Sequence, residues 1–170
     1  MHLKFTDQIW VHWALVYLVS MIAWLNSLKT FERTLALLAA ISRHQVLGQF
    51  ARPLTRALAW LNVRVNGHRA QESLAALGQT WMAMMPPNDE ELFRIIEVTE
   101  EAAFAEIHLN CPLRGTGDGQ ACHALMNYDR YLMKAVGGQL EVLESQATSG
   151  KTFCRLAIRH ADVSQPEREP

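Results

Sequence analysis

The sequence predicts an α+β fold in which N-terminal helices pack with a C-terminal ββαββ antiparallel sheet unit. Three observations carry this. Between residues 30 and 86 the apolar side chains recur at three- and four-residue spacing, the period of a helix buried on one side. After Pro86-Pro87 the period switches to alternation, which marks strands with one covered face. Turn-forming stretches at residues 115–119, Gly137-Gly138 and Thr148-Ser149-Gly150 then cut the second half into two strand pairs around one helix.

At 170 residues the chain reads as a single domain, 1–170, long enough to bury a substantial core. Its parts are an apolar helix over 1–28, a helical region over 30–86, the ββαββ unit over 90–160 and a flexible polar tail over 161–170. The 16 Lys and Arg residues nearly balance the 17 Asp and Glu. No basic stripe arises from such a balance, so nucleic acid is not an expected partner.

Ile9 to Leu25 reads IWVHWALVYLVSMIAWL and is apolar all round, unlike a surface helix with one wet face. Two readings of it stand open. Trp10, Trp13 and Trp24 near its ends resemble an aromatic belt, and Lys29, Arg33 and Arg43 beyond it would hold the C-terminal part on the cytoplasmic side of an inner membrane. The other reading is a buried core or homodimer-interface helix, which the modest length and His12 favour. The expected location is therefore the cytoplasm, with an inner-membrane-associated protein as the alternative. Contact with a membrane or partner protein, or homodimer pairing, would run through residues 9–25.

Thr30–Gly48 predicts the next helix, with Leu35, Leu38, Ile41 and Val46 on its apolar side. Leu54–Val65 resumes after Arg52-Pro53 and ends near Asn66-Gly67. A third helix over Arg69–Met85 places Leu74, Leu77, Trp81 and Met84 together, and Pro86-Pro87 stops it. Met82, Met84 and Met85 read as core filler before they read as soft copper ligands. His44 and His68, beside arginines at helix ends, read as solvated or dipole-capping.

The later elements are strands over Leu92–Val98 and Ala103–Leu109, a helix over Gln120–Val136, and strands over Leu140–Ser145 and Thr152–Arg159. The glycine loop at 115–119 lacks both the GK[ST] of a phosphate loop and the dinucleotide spacing, so it reads as a plain loop. Alternation puts Ile107, Leu109 and Cys111 on one face, with Glu106, His108 and Asn110 on the other. It also puts Cys154, Leu156 and Ile158 inward, and likewise Leu140, Val142 and Glu144. Helical period gathers Cys122, Met126, Asp129, Met133 and Val136 on one stripe.

The three cysteines, an odd number without any CxxC, suit a reducing compartment and thiols that are buried, ligated or reactive. The expected constellation joins Cys111, Cys122, Cys154, Glu144 and Asp129 between helix and sheet. An acid on an apolar face is costly unless paired or ligated, so Asp129 and Glu144 are its informative members. Two chemistries fit. One is a thiolate nucleophile at Cys111 or Cys154, with Asp129, Glu144, His108 or His123 moving protons. The other is zinc held by Cys122, Glu144 and Cys154, or by cysteines with His123. Against both stands the reading of three cysteines as small buried hydrophobes, with Glu144 turned to solvent.

Cys111-Pro112 after a strand, Asp129 on the following helix, and Gly150 with Cys154 in GKTFC resemble the family of L-2-amino-thiazoline-4-carboxylic acid hydrolase-like proteins. This resemblance implies hydrolysis of a C–N bond in a small cyclic amidine or amide-like compound. Cys122, Glu144 and Cys154 are also distantly similar to vinyl-reductase-type small-molecule-binding domains, which implies zinc. The competing class is a non-catalytic small-molecule- or zinc-binding accessory module, held at a membrane as a subunit of a larger complex. Met126 stands where the first family tends to place a cysteine, and Ala147 near where the second would want one.

Overall fold

The structure is a computed structural model that describes residues 28–44, 46–67, 69–85 and 89–161. The apolar run 9–25, His68, Pro86-Pro87 and the tail 162–170 lie outside the described residues. So do the anchor, core-helix and dimer-seam readings that depend on them. Among the described residues no helix is long and apolar enough to cross a membrane.

Three helices come first: α1 (Leu28–Arg43), α2 (Ala51–Asn66) and α3 (Leu74–Met84), with a short 3-10 turn at Gly48–Phe50. The expected helix over Thr30–Gly48 stops at Arg43, where His44 Nδ1 accepts from the N–H groups of Val46 and Leu47 at 3.3 and 3.2 Å. Pro53 is tolerated in the first turn of α2, where an N–H would have no intrahelical partner anyway. Gly67 ends α2 at φ 65°, a left-handed cap that donates to Val63 O. Helix α3 begins later than its period suggests because the Ser73 hydroxyl caps it, accepting from Ala76 N at 3.2 Å. Its expected inner residues Leu77, Trp81 and Met84 are buried.

The second half follows as β1 (Phe93–Val98), β2 (Ala103–Ile107), α4 (Gly119–Leu125), α5 (Asn127–Ala135), β3 (Gly138–Glu144), α6 (Gln146–Ser149) and β4 (Cys154–His160). The four strands form one antiparallel sheet in the order β1-β2-β4-β3. The α+β class and the strand–strand–helix–strand–strand order are therefore as predicted. The predicted single helix over 120–136 is bent at Met126 into α4 and α5. Side chains serve the carbonyls at the bend: Arg130 donates to His123 O at 3.0 Å, and Thr55 Oγ1 lies 3.3 Å from Ala124 O. The expected turn at 148–150 proves to be one helical turn, α6, closed by Gly150 at φ 70°.

One face of the sheet is covered by the helices. Ala103, Ala105, Ile107, Leu140, Leu156 and Ile158 point into a single cluster with Ala39, Ala59, Leu77, Trp81, Leu132 and Met133. The other face carries charge in a row across all four strands, because Arg94 pairs with Glu106, Glu106 with Arg155, and Arg155 with Glu144. Opposite charges on neighbouring strands stabilise a sheet face open to water.

At the start of β3 the backbone approaches the helices closely. A Cβ on Gly138 would sit 3.1 Å from Leu77 Cδ2 and Met133 Cε, and 3.2 Å from Arg159 O. The methyl groups can shift, but the carbonyl belongs to the β3–β4 ladder. Gly138→Ala is expected to cost about 1–3 kcal/mol of overpacking, read from the urea midpoint at unchanged slope. A midpoint equal to wild type would mean that this approach is looser than described.

Candidate functional site

The site forms at the end of the sheet where β2 runs out, under α4 and against α6. Gln146 organises it. Its side chain is fully buried, and its amide donates to Leu109 O at 2.8 Å and Ile107 O at 3.4 Å. Its carbonyl accepts from Arg114 Nε at 3.0 Å and Cys111 N at 3.4 Å. Its own N–H points at Cys154 Sγ, 3.3 Å away. One glutamine thus fixes the segment after β2, orients Cys111 and meets Cys154.

Cys154 faces inward on β4 and Cys122 on α4, as alternation and helical period predict. Strand β2 ends at Ile107, and Cys111 joins them from the turn beyond it, near enough for charge on one thiol to act on another. Cys154 is inward on β4, Cys122 is buried on α4, and Cys111 is half-buried in the turn after β2. Burial pushes all three thiols above their ordinary pKa. For Cys154 the value reaches about 11; the N–H of Gln146 works the other way, but charge on Cys122, Cys111 or Asp129 would raise it further. At Cys122 the Ser145 hydroxyl opposes burial, and a charged Cys111 would add to it. Cys111 has the most help toward a thiolate: the Leu113 N–H, the Arg114 charge and the Arg114 N–H all act against burial.

Glu144 is not in this cluster, contrary to the inward position expected from alternation. A β-bulge between Val142 and Glu144 inserts one extra residue, so Leu143 and then Glu144 are displaced from the simple period. Glu144 ends up opposite Arg155 on the open face and pairs with Lys151 at 2.8 Å. Keeping a carboxylate in water is cheaper than burying it beside a thiol. The zinc set of Cys122, Glu144 and Cys154 is therefore split across the sheet. Among the described residues, no group of three or more His, Cys, Asp and Glu side chains is arranged to hold a metal ion. The donor set does not fit zinc.

His108 also stays on the open face, as its alternation predicts. Its Nε2 is 2.9 Å from Glu106 Oε2, and its ring stacks on Phe153 at 5.7 Å. The sheet separates it from the thiols. His123 lies at a separate open cleft of about 420 Å³, lined also by Arg52, Gly119 and Gln120. Burial, Arg130 and Arg52 lower its pKa.

Asp129 faces inward on α5, with Met126, Met133 and Val136 along the expected stripe. Its partner is an indole: Trp81 Nε1 donates to Asp129 Oδ1 at 3.0 Å. Burial lifts its pKa to about 6, with the Trp81 bond acting the other way. Met126 and Ala147, the two positions where the families would place cysteines, are both buried. Gln146 and Arg114 were not legible as site residues, since nothing in a short polar turn marks which side chain will be swallowed. Ser145 followed by Thr148 does carry the cap signal of α6, and Ser145 Oγ is 3.3 Å from Thr148 N.

The raised acid fixes a pH dependence. An acid whose folded pKa lies above its unfolded value holds its proton more tightly when folded, so stability falls as pH rises from about 3.8 to about 6. Asp129→Asn keeps an acceptor for Trp81 and removes the titration. Thermal melts from pH 4 to 7 are expected to show a falling contribution in wild type that is flattened in the variant, with a difference on the order of 2 kcal/mol. A variant with the same slope as wild type would exclude Asp129 as its source.

No protein-family model, no curated protein and no solved structure matches the chain.

Proposed function

We propose that the chain is an L-2-amino-thiazoline-4-carboxylic acid hydrolase-like protein, opening a C–N bond of a small cyclic amidine with Cys111 as nucleophile. The observation that carries this reading is the setting of Cys111. It is the half-buried member of a three-thiol cluster; burial raises its pKa, and the Leu113 N–H, the Arg114 charge and the Arg114 N–H pull it back toward the charged form. An electropositive setting and access are what distinguish a reactive cysteine from an inert one.

In this scheme the Cys111 thiolate adds to the amidine carbon. The ring C–N bond breaks as the nitrogen takes up a proton, and water then cleaves the new C–S bond and returns the thiol. Cys154 and Gln146 hold the geometry, since Gln146 touches both cysteines. Asp129, bound to Trp81, supports α5 and is a candidate proton store through its pKa of about 6. The His108–Glu106 pair lies on the opposite face of the sheet and has no role in this scheme.

A second reading is favoured by the raised pKa of all three thiols: a non-catalytic small-molecule-binding accessory module. A protonated thiol is a small apolar group with a weak donor, suited to lining a ligand site.

The two readings separate in one experiment. Hydrolysis of a 2-aminothiazoline-4-carboxylate is followed across pH in wild type, Cys111→Ala and Cys154→Ala. Turnover should rise toward alkaline pH as the raised thiol ionises, and Cys111→Ala should lose on the order of 100-fold or more. Iodoacetamide should label Cys111 before Cys122 and Cys154. Full turnover in both alanine variants ends the nucleophile proposal, and binding without turnover leaves the accessory module.

A further inference from the structure

The exposed side of α2 is a surface that the cysteine site does not use. Phe50, Leu54, Ala57, Leu61 and Val65 follow each other at three- and four-residue spacing, and all are exposed, Val65 at 69%. Beside them runs a second exposed row, Arg52, Arg56, Trp60 and Arg64, with Trp60 at 55%. The apolar row continues before the 3-10 turn into exposed Val46 and Leu47. Helix α2 contains three arginines and no Asp or Glu. Only its opposite side, Ala51, Thr55 and Ala59, is buried.

We infer that this face docks on an anionic lipid bilayer, with the apolar row entering the headgroup boundary and the arginines meeting lipid phosphates. A helix with one apolar side, a tryptophan and cations without acids lies in a membrane interface rather than across it. Arg56 is already held to one side, its guanidinium 4.9 Å from the Tyr131 ring centre. A second copy of the chain is the poorer occupant. A two-fold pairing brings the same patch against itself, and here that would set arginine near arginine with no acid on α2 to separate them.

The test uses the full chain, because residues 9–25 offer a competing apolar contact. Sedimentation with phosphatidylcholine vesicles is compared with vesicles containing phosphatidylglycerol, at low and high salt. The proteins are wild type, Leu54→Ser/Leu61→Ser and Arg52→Gln/Arg64→Gln, each checked for native circular dichroism. Wild type should partition about tenfold or more in favour of the anionic vesicles, with the preference reduced by salt. Each double variant should lose about tenfold of that binding. The proposal is overturned if wild type shows no anionic preference, or if both variants bind as wild type does, which would assign the contact to residues 9–25. It is equally overturned if wild type ignores vesicles and forms a dimer that the leucine variant dissolves. Should the leucine variant misfold, the arginine variant alone decides, since Arg52 and Arg64 are both exposed.

Discussion

The hydrogen bond between the Trp81 indole and the Asp129 carboxyl is the contact around which the helical layer is arranged. It joins α3 to α5 in the middle of the core, where both side chains are buried. Trp81 also meets Phe93 edge-on at 5.8 Å, and Phe93 meets Phe31 at 6.4 Å, so the contact extends to β1 and α1. A buried acid costs free energy, and one indole N–H offsets only part of that. What the pair contributes is register: an apolar contact could slide by one residue, whereas a directed N–H has a single good position.

Cysteine clustering and cysteine reactivity pull against each other in this fold. The covered face that gathers Cys111, Cys122 and Cys154 is dry, and dryness opposes the charge a nucleophile needs. The turn after β2 is where the opposition is weakest, because its N–H groups and Arg114 reach the Cys111 sulfur. The chemistry of the site is therefore decided by a loop, and that loop is held by the side chain of Gln146.

How far such an arrangement can be read in advance depends on the kind of signal. Regular period was enough for the helices, for the inner faces of β2 and β4, and for the stripe from Cys122 to Val136. It was enough even across the bend at Met126, because the Met126 N–H still donates to Cys122 O and the helical phase carries through. It failed at Glu144, where a bulge breaks the two-residue rule. Residue chemistry held the missing clue: Glu141 and Glu144 cannot both face water on a regular strand, yet an acid strongly prefers water to a thiol-lined core. It failed also at Gln146, since long-range hydrogen bonds to Leu109 and Arg114 have no local trace. The 3-10 turn and the early end of α1 were missed for the related reason that His44 caps backbone N–H groups from outside the helical pattern.

The bulges have a bearing beyond the placement of one glutamate. The inner strands β2 and β4 pair regularly, while each outer strand is irregular, β1 between Ile95 and Glu97 and β3 between Val142 and Glu144. A bulged border bends and leaves its free N–H and C=O groups out of line. Such a break in each border strand shortens the straight row that a strand from another molecule could extend, which works against edge-to-edge pairing without closing the sheet into a barrel.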